Sequence, residues 1–201
     1  MTNIKSENES NKTEGQIIKD KILEVIYDED IKFVTPRFDL FNTNYGCKIT
    51  NKQLTIKSFT TTWKSSINKN VFDNKSSNKS LYYWSYKIDE CLPSNCIQIG
   101  LVKQGYISNK SPLMSSDAMN SYSFYLNNNT TYSSAGNTVI PFLMERGDRI
   151  GLLYDICNGS LVLFKNEEFL SKCFHDMESE LYPCVAIHDN ITQISIINFD
   201  D

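Results

Sequence analysis

The sequence predicts an all-β fold, an antiparallel β-sandwich entered through one short N-terminal helix. Three observations predict it. Beyond Ile31 the chain consists of short runs dense in Ile, Val, Phe, Tyr and Thr. Clusters of Asn, Gly, Ser, Asp and Pro break those runs at frequent intervals, as hairpin turns require. Helical spacing of apolar residues is confined to residues 15–27.

The elements follow in order. Residues 1–14 hold Asn, Lys, Glu, Ser and Thr with little to bury, and read as a disordered tail. Residues 15–30 read as a short amphipathic helix and linker, with Ile18, Ile22 and Val25 or Ile26 on one face. That helix either docks on the sandwich or serves a partner or a second copy. Residues 31–201 read as the sandwich domain.

Within it, Cys47–Thr50 and Leu54–Lys57 flank a polar turn at Asn51-Lys52-Gln53 and predict a hairpin with one buried face. A Thr-rich strand ending near Trp63 is expected next, then a Ser, Asn and Lys loop interrupted by Val71-Phe72. Tyr82–Ile88 and Ile97–Val102 read as strands joined through Leu92-Pro93-Ser94. After a loop over 103–121, Tyr122–Leu126 and Thr130–Ser134 bracket Asn127-Asn128-Asn129 as a second hairpin.

Ile150–Tyr154 and Leu161–Phe164 flank Asn158-Gly159, the favoured pair for a type I′ turn because both positions need positive φ. A further turn covers Lys165–Glu168, with Glu167 and Glu168 read as solvated. Leu181–Ile187 and Ile191–Phe199 close the domain. In the last run, Ile194, Ile196 and Asn198 face one way and Ser195, Ile197 and Phe199 the other.

Composition narrows the function. The 201 residues suit one domain with a sizeable core. A net charge of −4 argues against a general electrostatic grip on nucleic acid or anionic membrane. Lys64, Lys69, Lys75 and Lys79 cluster in sequence and read as a solvated loop. No apolar run reaches the length of a membrane-spanning helix. Met1–Ser10 lacks the apolar segment of a signal peptide, so the expected compartment is the cytoplasm or nucleus.

There the six cysteines are expected as reduced thiols. No CxxC pair occurs, and His175 and His188 are the only histidines, so no zinc site and no cofactor are expected.

Several segments in order resemble one family. They are Tyr82-Tyr83-Trp84-Ser85-Tyr86-Lys87-Ile88-Asp89, Ile97-Gln98-Ile99-Gly100-Leu101, and Gly147-Asp148-Arg149-Ile150-Gly151-Leu152-Leu153-Tyr154-Asp155. Asn158-Gly159-Ser160-Leu161, Phe164-Lys165-Asn166 and Leu181-Tyr182-Pro183-Cys184-Val185 follow. Together, over residues 38–199, these resemble the SPRY domain, the core of the B30.2 group, which is a sandwich of concanavalin-like jelly-roll type. Two departures stand out: Ser80-Leu81 replaces a usual Gly, and Glu167 follows Asn166 where Gly is common. No Leu-Asp-Pro motif of the PRY half is present, which favours a plain SPRY domain.

The resemblance implies a non-catalytic module that binds a partner protein or peptide through loops at one edge of the sandwich. It points to three stretches. The first is residues 66–79, with Phe72, Asp73 and Lys75. The second follows Gly100, with Tyr106 and Leu113, and continues to Tyr125 and Tyr132. The third is His188-Asp189-Asn190. Phe72 reads equally as an anchor or as core, and the tyrosines also read as half-buried sandwich residues. An adaptor or substrate-receptor role in a ubiquitin-ligase or scaffold complex is one form of the expectation. No RING, F-box or SOCS-box segment is recognisable, so a ligase link would run through another subunit.

Two alternatives belong to other classes. A lectin-like glycan binder would need clustered Asp and Asn, for which Asp117, Asp189 and Asn190 are the candidates. A glycan hydrolase would need two carboxylates facing one cleft, and no Glu-x-Asp-x-Glu strand is present. The sequence leaves the oligomeric state open, with a monomer as the default.

Overall fold

A computed structural model describes residues 12–26, 31–72, 81–92, 96–103, 106, 121–126, 130–132, 138–177 and 180–200. The expected tail over 1–14 therefore lies almost wholly outside the described residues.

Helical spacing produces α1 at Glu14–Ile26, which buries Gly15, Ile18 and Ile22. Thr13 caps its first turn, its hydroxyl accepting the Gln16 amide at 3.2 Å. The strands begin with β1 (Ile31–Phe33), β2 (Phe38–Thr43), β3 (Cys47–Thr50), β4 (Thr55–Ser58) and β5 (Lys64–Asn68). They continue as β6 (Leu81–Glu90), β7 (Ile97–Lys103), β8 (Ser121–Tyr125) and β9 (Thr130–Tyr132). The last are β10 (Arg149–Asp155), β11 (Ser160–Lys165), β12 (Glu168–Phe174), β13 (Leu181–Ile187) and β14 (Gln193–Ile196).

The strands form two sheets. The first runs β12-β11-β10-β6-β14-β4-β3, with β1 parallel to the start of β6. The second runs β2-β5-β13-β7-β8-β9, all antiparallel. Alternation along each strand decides what meets in the middle. Tyr82, Trp84, Tyr86 and Ile88 of β6 face Ile97, Ile99 and Leu101 of β7 and Val185 and Ile187 of β13 across the core. The intervening Tyr83 faces outward, into a second cluster beneath α1.

That second cluster settles the role of the helix, which docks on the outer face of the first sheet. Ile18 and Ile22 pack with Tyr83, Leu153, Phe164, Ile197 and Phe199. Burying each isoleucine contributes about 1.5–3 kcal/mol. Val25 remains exposed, and Ile26 takes the partly buried place on that face. Lys19 donates to the Phe199 carbonyl at 2.7 Å.

At the start of the helix, Gly15 lies so close to the last strand that a Cβ would collide with the Asn198 carbonyl oxygen. Alanine ordinarily favours a helix over glycine by about 1 kcal/mol. Here the collision reverses the sign. Gly15→Ala is expected to lower stability and to speed amide exchange throughout α1, while exchange in β6 and β13 is little changed. Hydrogen exchange read by mass spectrometry checks this, and unchanged protection of α1 would refute it.

Several expectations need correction. The Thr-rich segment is a corner, and the strand lies after it, as β5, inside what reads as a polar loop. Ser65 and Ser66 are fully buried there. The Ser65 amide donates to Asn44 Oδ1 at 2.7 Å, and the Thr43 and Ser66 hydroxyls pair at 2.5 Å. Small side chains of this kind fit a sheet interior without an apolar signal.

The type I′ signature is also elsewhere. Between β10 and β11 only Gly159 has positive φ, closing a four-residue loop whose Asn158 amide donates to Asp155. Asn166 and Glu167 both have positive φ, at 50° and 69°, between the paired residues Lys165 and Glu168.

Glu167 is not solvated. Its side chain is 3% exposed and accepts two hydrogen bonds from Arg149, at 2.7 and 2.8 Å. Lys21 of α1 approaches the same carboxylate at 3.5 Å, and Glu14 reaches Arg149 at 3.7 Å. The hairpin turn thus pins the helix electrostatically where the apolar cluster pins it by packing.

Candidate binding surface on the second sheet

The outer face of the second sheet carries a third cluster, Ile67, Val102, Cys184 and Ala186, with Trp63, Tyr106 and Tyr182 packed against it. One end of that face gathers residues from several segments. The corner before β5 is tied by Ser58, whose hydroxyl receives the Thr60 amide at 3.4 Å, and by Thr60, which donates to the Thr62 carbonyl at 3.2 Å. The chain then delivers Trp63 immediately before β5.

Across the sheet, β13 ends at Ile187 and the turn that follows is fixed by Asp189. Its carboxylate accepts the Ile191 and Thr192 amides at 2.8 and 2.6 Å. That turn holds His188 against Trp63, with ring centroids 5.3 Å apart. Tyr125, at the end of β8, meets the other side of Trp63 at 5.6 Å, edge to face. Cys96 joins the group, receiving the Tyr125 hydroxyl at Sγ (3.7 Å) and the His188 amide at its carbonyl (3.0 Å).

Strand register shows what lies beside these rings. Ala186 pairs with Ser65 on one side and Gln98 on the other, and Gln98 pairs with Tyr125. Ser65, Ala186, Gln98 and Tyr125 therefore form one row on the outer face. Gln98 is fully buried, and neither amide atom finds a hydrogen-bond partner among the described residues; the same holds for Ser65 Oγ. Each such group costs roughly 1–3 kcal/mol. Asn190 and Ile191 stand exposed at the rim.

The predicted site residues divide. Tyr125 and His188 come together, and Asn190 adjoins them. Asp189 is buried and shapes the turn without facing outward. Tyr106 lies at the opposite end of the face, beyond the far end of β7, roughly 20 Å away for a seven-residue strand at about 3.3 Å per residue. Tyr132 sits in β9 opposite Ser123.

Phe72 takes the core reading. It is 2% exposed and packs against Tyr82, Trp84 and Tyr154 at centroid distances of 4.9, 5.0 and 6.3 Å. A side chain so enclosed cannot anchor a surface partner. Asp73, Lys75 and Leu113 lie outside the described residues, as does Asp117. Trp63 and Cys96 were not predicted; the one available signal was a large indole closing a polar Thr run.

The SPRY domain profile matches residues 81–199. The chain belongs to the SPRY domain family. Its fold is similar to the SPRY domain of human HERC1, with a TM-score of 0.68 at 16% identity, covering 82% of this chain and 99% of that one. The TRIM65 PSpry domain matches with a TM-score of 0.68 at 11% identity, covering 90% and 98%. A human SPRY domain matches at 0.61 and 16%, covering 78% and 96%. No curated protein sequence matches.

SPRY domains are in general protein-interaction modules. In this one the matched span supplies Cys96, Tyr125 and His188, whereas Trp63 enters from the corner before β5, upstream of it. Among the described residues no helix is long and apolar enough to cross a membrane.

Proposed function

We propose that this SPRY domain is a non-catalytic module that holds a partner protein or peptide at the Trp63, Tyr125 and His188 end of the second sheet. The carrying observation is Trp63, half-buried and clasped between Tyr125 and His188, with Asn190 exposed beside them. Interface energy concentrates in aromatic anchors ringed by polar contacts. Here Trp63 is the anchor, and Asn190 and the exposed turn supply polar contacts that fix register. In an adaptor or substrate receptor of a ubiquitin-ligase or scaffold complex, this end would select the client. Six free thiols suit a reducing compartment, the cytosol or nucleus.

Peptides selected from a displayed library against the folded chain test the proposal. The selected peptide is expected to bind Trp63→Ala about 30-fold more weakly, the loss typical of a hot-spot residue near 2 kcal/mol. The variant should still melt cooperatively. Equal binding to both proteins would move the site elsewhere.

A further inference from the structure

A second surface lies away from the Trp63 end, on the open edge of the second sheet. β2 pairs with β5 only at Phe38 with Asn68 and at Thr43 with Ser66, and the four residues between bulge outward. The bulge is locked by its own side chains. Asp39 accepts the Phe41 amide at 3.0 Å and the Asn42 side-chain amide at 2.7 Å, and Thr43 donates back to the Asp39 carbonyl at 2.6 Å. At the tip stand Leu40, 58% exposed, and Phe41, 93% exposed. A rigid finger carrying two apolar side chains in water calls for a partner.

At the foot of that finger is a socket. Asp39 and Asn42 form one wall of a cavity of about 210 Å³, and Ile67, Lys69, Lys103, Tyr106 and Tyr182 line it with Asn68. It is smaller than the roughly 300–1,000 Å³ of small-molecule sites, with room for one aromatic side chain. Phe41 does not fill its own socket.

We propose that the finger and socket are the two halves of one self-complementary contact, and that the occupant is a second copy of this chain. A two-fold interface needs one patch that carries both knob and hole, so that each copy gives and receives once. This patch does. It also carries both charges, with Asp39 at the base of the finger and Lys103 and the exposed Lys69 lining the socket, so a two-fold axis sets each aspartate towards the other copy's lysines. The bulge interrupts the edge and prevents strand-to-strand pairing, which leaves side-chain insertion as the means of contact. Each buried phenylalanine covers about 150–250 Å². Two fingers therefore fall below the roughly 1,200 Å² of standard interfaces, and association is weak and reversible.

Sedimentation equilibrium of the 201-residue chain from micromolar to millimolar concentration tests this. The native chain is expected to shift from monomer to dimer with rising concentration. Phe41→Ser, at a position too exposed to affect folding, should remain monomeric throughout. Lys69→Glu should weaken association several-fold. A native chain that stays monomeric overturns the proposal, as does dimerisation that Phe41→Ser leaves intact. Peptide binding at Trp63 should be unchanged in Phe41→Ser, which separates this contact from the proposed partner site.

Discussion

Phe72→Ala is expected to destabilise the domain by about 3–5 kcal/mol. The ring is enclosed by Tyr82, Trp84 and Tyr154 between the two sheets, and its backbone bridges to Leu181 through reciprocal hydrogen bonds of 2.9 and 3.2 Å. Alanine leaves a cavity that three packed aromatic rings cannot easily close. For a chain of this length the loss corresponds to a fall in Tm of roughly 6–20 °C. Thermal melting by circular dichroism measures it directly. A surface anchor would behave in the opposite way, with an unchanged melt and lost binding, so the experiment separates the two readings of this residue.

Arg149→Met is expected to cost a similar amount, about 3–5 kcal/mol, because it strands a charge. Glu167 is held in the turn at positive φ, buried, with both carboxylate oxygens committed to the guanidinium. The same contact raises the Arg149 pKa further above its ordinary value, chiefly through the hydrogen bonds it donates to Glu167. Without Arg149 the carboxylate keeps, among the described residues, Lys21 as its cation, at 3.5 Å and half in water. Adding Glu167→Gln removes the stranded charge and should restore part of the loss. Denaturant unfolding of the two single variants and the double variant gives the coupling. Additive losses would show that the pair does not act as a unit.

Much of the fold was legible because period decides it. Ile18 and Ile22 recur at helical spacing, and Tyr82, Trp84, Tyr86 and Ile88 alternate with residues facing the other side. The failures have specific causes. β5 was hidden because Ser65 and Ser66 are small and polar, and their burial depends on partners in β2 and β13 that no local pattern encodes. Glu167 read as solvated because its turn is polar, yet the hairpin register aims it at Arg149 and at α1. Phe72 lies beside a polar stretch, and only the pairing with Leu181 reveals that it turns inward.

The candidate site was legible in part. Tyr125 and His188 are aromatic residues at strand ends, where a sandwich gathers its loops. That they meet each other through Trp63 depends on β5 lying next to β13 and β13 next to β7, an order that sequence spacing does not state. Sequence order groups Tyr106 with Tyr125, yet Tyr106 follows the opposite end of β7. Direction along β7 separates the two groups.

Amide and indole chemical-shift mapping with a selected peptide tests the central claim most directly. The proposed site predicts the largest shifts at the Trp63 indole N–H, His188 and Asn190, with little change along α1 or near Tyr182. Shifts centred on α1, or on the Tyr106 and Tyr182 end of the face, would contradict it.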